Sequence, residues 1–166
     1  MDYDSKTPGV DESDFNNNVD WKDFYGDMEE DLPPKMPEKR GNVVSISNFV
    51  DANHDGNVVT CQSHSGIIIF VQNAPIIWFS KSQNTVEAAT FGSEFVAIHI
   101  CKELIIALRY KLCMFGVLLD RLADVFCDKR GVVMNASKPQ STLQKNHNAI
   151  NYHAVSEAAA AGILRV

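Results

Sequence analysis

Three short runs of β-branched and aromatic residues, joined by connections too short to cross a sheet, stand ahead of one long helical stripe. Val43 to Val50 reads as the first strand and ends at Asp51 and the turn formers Asn53, Asp55 and Gly56. Gly66 to Val71 is the second strand, Asn73-Ala74-Pro75 a turn, and Ile76 to Ser80 the third, which predicts an antiparallel meander. From about Thr90 to Phe115 the apolar period becomes helical, with Phe91, Ile98, Cys101, Ile105, Leu108, Leu112 and Phe115 on one stripe. Val125-Phe126-Cys127 is a continuous apolar run, as expected of a strand covered on both faces. A short helix (about Arg130 to Asn135), a longer one (about Asn146 to Ala161) and the opening of a fifth strand (Ile163 to Val166) complete the order.

Two hairpin reversals leave the third strand parallel to the first. A right-handed crossover through the long helix then lays the fourth strand beside the first, also parallel. The predicted fold is α/β: a mixed sheet, three antiparallel strands and then parallel ones, with helices packed on it. Ahead of it, residues 1–41 read as a poorly ordered or loosely docked connecting segment. Residues 1–40 carry twelve acids against five bases, a net of −7, and a Pro33, Pro34, Pro37 cluster. Residues 42–166 form the domain. From residue 41 onward the net charge is only +1, so charge gives weak support to a polyanionic partner.

At 45% apolar and 22% charged residues the composition is that of a globular chain. The longest apolar candidate, Gly66 to Phe79, is interrupted by Gln72 and Asn73, which argues against a membrane span. The acidic N-terminal stretch is unlike a secretory signal. Cys61, Cys101, Cys113 and Cys127 lack C-x-x-C pairing and read as reduced, mostly packing thiols. The expected location is the cytoplasm or the nucleus rather than the secretory route.

Three acids stand where they cost energy. Asp51 ends the first strand and Asp128 the fourth, so on parallel neighbours the two carboxylates share the carboxyl edge of the sheet. Strands lie about 4.8 Å apart, and anions that close repel unless a cation or a proton intervenes. Glu94 falls on the apolar stripe of the long helix, three residues after Phe91 and four before Ile98. Facing the sheet, it needs compensation. A shared divalent cation explains all three, and oxygen-only donors suit Mg²⁺ or Mn²⁺. Such a pocket fits two-metal phosphodiester hydrolysis.

The motifs are similar to those of one family. Phe49-Val50-Asp51-Ala52-Asn53-His54 resembles the segment that opens the ribonuclease H domain of copia-type LTR retrotransposon polyproteins. Ser63-His64-Ser65-Gly66, Trp78-Phe79-Ser80-Lys81-Ser82-Gln83 and Thr90-Phe91-Gly92-Ser93-Glu94-Phe95 resemble its next three blocks. Val125-Phe126-Cys127-Asp128 and His147-Asn148-Ala149-Ile150 follow in order, and Asp20 to Asp27 resembles the connection ahead of the domain. The resemblance implies a ribonuclease H fold, with Asp51, Glu94 and Asp128 as catalytic, metal-binding acids. It implies cleavage of the RNA strand of RNA–DNA hybrids with Mg²⁺ (or Mn²⁺), beside the reverse transcriptase portion of the same polyprotein, in a cytoplasmic virus-like particle or the nucleus.

The chain also departs from that pattern. Asp128-Lys129-Arg130 replaces Asp-Asn-Gln, Cys61-Gln62 stands where a basic pair is frequent, and the sequence ends at Val166 before the family's fourth metal-binding Asp. The expectation is a domain truncated in its last strand, whose isolated chain has little or no nuclease activity. The competing reading is a non-catalytic remnant that binds nucleic acid weakly. A third, Asp51-x-Asn53-x-Asp55-Gly56-x-Val58, imitates the start of an EF-hand calcium loop. It fails at Gln62 and at the strand preceding it.

Four residues are candidates for nucleic-acid contact: Asn84 and Thr85 in the loop before the long helix, Arg130 and His147. Asn84 and Thr85 serve equally as helix caps, and His147 and His153 read first as helix decoration. Trp78 reads as a core residue of the third strand, and Lys102, Arg109 and Lys111 as a solvated helix face.

Overall fold

A computed structural model describes residues 21–54, 60–87, 89–120, 122–138 and 149–166. After a single helical turn, α1 (Lys22–Tyr25), come β1 (Arg40–Val44), β2 (Ile46–Asn53), β3 (His64–Val71) and β4 (Ala74–Ser82). The long helix α2 (Thr90–Met114) leads to β5 (Val117–Leu119) and β6 (Ala123–Cys127), then α3 (Arg130–Ala136), α4 (Ala149–Ala160) and β7 (Leu164–Arg165).

The main sheet has the order β4-β3-β2-β6-β7. Strands β2, β3 and β4 are antiparallel neighbours, while β6 runs parallel to β2 and β7 parallel to β6. This is the mixed α/β sheet that the element order predicts. The first predicted strand differs in two respects: it breaks at Ser45, and it runs on through Asp51 to Asn53. Its leading half, β1, leaves the sheet and pairs with β5 in a parallel ribbon. Gly116, in the turn from α2 into β5, makes that ribbon possible. Its φ is +73°, and a Cβ there would lie 2.8 Å from the carbonyl oxygen of Glu38, while its own carbonyl accepts from the Arg40 amide at 2.9 Å.

One face of the sheet builds the core. Ile46, Val50, Ala52, Ile67, Ile69 and Val125 point toward Phe95, Ile98, Cys101 and Ile105 of α2, with Tyr152 and Val155 of α4 beyond them. Each large side chain buried there contributes about 1.5–3 kcal/mol. Helix α4 ends in a six-to-one, five-to-two hydrogen-bond pair, Ile163 to Ala158 and Gly162 to Ala159, which turns the chain into β7.

The opposite face overturns two expectations. Trp78 is 77% exposed and Phe126 37% exposed, so neither is an inner core residue. Strand alternation explains it: Ile77 and Phe79 take the helix side, and Trp78 falls on the other.

From Trp21 to Arg40 the acidic segment touches the domain. The Tyr25 hydroxyl hydrogen-bonds His153 Nδ1 at 3.1 Å. Arg109 donates from Nε and from guanidinium Nη2 to the two carboxylate oxygens of Glu30, at 2.6 and 2.7 Å. Arg109 and Lys102 are thus buried rather than part of a solvated face; Lys111 is exposed as expected.

Candidate metal centre

Strands β2 and β6 pair in parallel register up to Val50 opposite Cys127. The next residue on each is an acid, so Asp51 and Asp128 stand level. Asp128 lies just past the end of β6 and Asp51 two residues inside β2, which runs on to Asn53 instead of ending at Asp51 as expected. Val50 and Ala52 turn into the core, which leaves Asp51 on the other side of the pleat, exposed. Asp128 is exposed just past the end of β6.

Glu94 arrives from above. The first turns of α2 are the most buried part of the helix, with Ser93 and Phe95 fully covered and Glu94 itself 2% exposed. Ligand atoms of Glu94, Cys127 and Asp128 all lie within 4.8 Å of one another. Asp51 stands outside that group among the described residues. It still acts on Glu94 through space.

The electrostatics register the crowding. Burial first, then the Asp128 and Asp51 carboxylates, push the Glu94 carboxyl from 4.5 up to about 7. The Lys129 ammonium and a backbone hydrogen bond at Ala52 pull it down. Cys127 Sγ donates a long hydrogen bond to Glu94 Oε2 at 3.9 Å. Burial, reinforced by the Glu94, Asp128 and Asp51 carboxylates, holds that thiol up at about 11, so it is protonated at neutral pH. The thiol was missed in the sequence because Val125-Phe126-Cys127 reads as packing. The signal available was its place directly before Asp128.

The donor chemistry fits a divalent cation. A buried carboxylate facing a second carboxylate is short of positive charge, and hard oxygen donors match Mg²⁺ or Mn²⁺. Glu94 and Asp128 would hold such an ion, with Asp51 at its margin.

The remaining candidates lie elsewhere. Asn84 and Thr85 are exposed between β4 and α2. Neither caps the helix, whose N-cap is Ala89 with no side-chain bond. Arg130 is exposed at the first position of α3. His147 lies outside the described residues, as does the Asp55–Val58 part of the calcium-loop imitation. Strands β2 and β3 flank that imitation where an EF-hand needs helices. A groove of about 670 Å³ runs from Asp51 and Asp128 across Phe49, Ile68, Trp78 and Phe126. No helix among the described residues is long and apolar enough to cross a membrane.

No protein-family model matches the chain. Curated relatives that match include the retrovirus-related Pol polyproteins from transposons RE1 and RE2 of Arabidopsis thaliana. They are 27% and 26% identical over 128 residues, 77% of this chain. The matched segment is 9% of the length of each polyprotein. Among solved structures, the N-terminal RNase H domain of a Mycobacterium tuberculosis protein, studied as a fusion with maltose-binding protein, superposes with a TM-score of 0.53. It does so at 14% identity, over 74% of this chain and 79% of that one. Sheet order and structural likeness agree on a ribonuclease H fold, and in sequence the chain is similar to a segment of retrotransposon Pol polyproteins.

Proposed function

We propose that the domain serves a copia-type polyprotein by cutting the RNA strand of RNA–DNA hybrids, in concert with the reverse transcriptase portion. Asp51, Glu94 and Asp128 are its metal-binding acids. One observation carries this reading: a glutamate almost fully removed from water, placed by α2 against Asp128 at the sheet edge.

Glu94 and Asp128 would bind Mg²⁺ or Mn²⁺, and a bound cation of this kind supplies Lewis-acid activation of water and stabilisation of the leaving oxygen. The protein's own part is placement and charge. The sheet register sets Asp51 level with Asp128, and α2 brings Glu94 against Asp128, with Asp51 outside that cluster. Glu94 with a carboxyl at about 7 loses its proton readily when positive charge arrives. The Cys127 thiol, protonated, occupies one lone pair of Glu94 Oε2 and restrains that oxygen. Lys129 competes with a cation for the same carboxylate, since its ammonium already stabilises the ionised form.

The test uses this chain with Mn²⁺ and a labelled hybrid. Saturable Mn²⁺ uptake, lost in Glu94→Gln and Asp128→Asn, is expected. Hybrid binding is expected as well, weakened in the same two variants. Absence of Mn²⁺ uptake would end the metal reading.

A further inference from the structure

Gln83, at the end of β4, is 3% exposed and committed on every donor it has. Its Nε2 donates to Ser65 Oγ at 2.9 Å and to the Ser93 carbonyl at 2.8 Å. Its backbone amide donates to the Ser63 carbonyl at 2.7 Å. Ser93 Oγ in turn donates to the Thr90 carbonyl at 2.8 Å. Three segments meet at this one side chain: the start of β3, the end of β4 and the first turn of α2.

The location matters more than the count. Ser65 pairs with Ala52, the residue after Asp51, and Ser93 precedes Glu94. The N-terminus of α2 has no side-chain cap at Ala89, so the usual anchor of a first helical turn is missing. Gln83 supplies a bond to that turn from outside the helix. It does so although, among the described residues, its own Oε1 is buried without a hydrogen-bond partner, an uncompensated acceptor that an apolar side chain of the same shape would avoid.

We infer that Gln83 is a positioning residue for the acid cluster: its amide clamps the first turn of α2 to β3 and so sets the Glu94 carboxylate against Asp128. The inference rests on the cluster's being a cation site. Groups bonded directly to metal ligands change affinity by about 10–100-fold when removed. Gln83, which acts one residue away through Ser93, belongs at the low end of that range.

Gln83→Met keeps the volume and deletes both donors, and Ser65→Ala deletes a single acceptor in case the first variant folds poorly. Mn²⁺ alone is the probe, titrated by water-proton relaxation, with amide hydrogen exchange recorded on the metal-free proteins. Gln83→Met is expected to weaken Mn²⁺ binding about tenfold and Ser65→Ala less. Faster exchange should be confined to residues 90–95. Val155→Ala, in the core of α4, is the control and should lower stability without moving Mn²⁺ affinity. Unchanged affinity in both variants overturns the inference, as does an equal loss in Val155→Ala or exchange that quickens over the whole domain. If the parent takes up no Mn²⁺, the proposed function fails on that result, and the clamp is judged on the exchange pattern alone.

Discussion

The two faces of the main sheet are built from the same strands and have opposite fates. On one, Phe79, Ile67, Val50 and Cys127 form a cross-strand row under α2. On the other, one residue along each strand, Trp78, Ile68, Phe49 and Phe126 form a second row, every member at least one-third exposed. The second row is no less apolar. It even has internal order: Phe49 stacks on Phe126 at 5.1 Å and meets Phe70 edge-on at 5.8 Å. The lesson is that apolar content does not select the buried face of a strand; the helices do. The catalytic candidates follow the same division, because Glu94 belongs to the helix side and Asp51 to the open side.

That contrast can be broken from the helix side first. Phe95→Ala, at a position with no exposure, should cost about 3–5 kcal/mol in urea denaturation. Next comes the buried acid. The folded Glu94 carboxyl lies above its unfolded value, so the protonated form is the stabilising one. Its contribution is complete below about pH 4.5, declines as pH rises, and is gone above about 7. The step should be on the order of 3 kcal/mol. Glu94→Gln should flatten it, while Asp51→Asn should shrink it less than Asp128→Asn. Slightly smaller is the cation effect: Mn²⁺ at a hundredfold excess over its Kd should add about 2.7 kcal/mol at pH 7.5, and far less at pH 5, where Glu94 holds its proton. Smallest is the open face. Trp78→Ser should change stability by under about 1 kcal/mol and reduce binding of a hydrophobic dye. A cost equal to that of Phe95→Ala would show that this face is covered in solution.

Much of the sheet could be read in advance because its cues are local. Loop lengths dictate the meander, and the stripe from Phe91 to Leu112 dictates the helix. Glu94 was legible for a related reason: a lone charge on an apolar stripe marks itself. The misreadings share one cause. Where both phases of a strand are apolar, as around Trp78 and Phe126, periodicity carries no information on which side is covered. Likewise Arg109 on a helix looks solvated until a distant segment supplies Glu30. The three-residue β5 is too short to leave a pattern, and Ser45 gives no sign that the first strand divides there.

Glu30 and Arg109 grip each other with both side chains largely out of water. Breaking so sheltered a pair costs about 3–5 kcal/mol, a large share of the 5–15 kcal/mol that holds a typical domain together. An excised fragment starting at Asn42 would retain every strand of the main sheet and still forfeit that grip. The stretch outlined by the sheet therefore lacks part of what stabilises the fold.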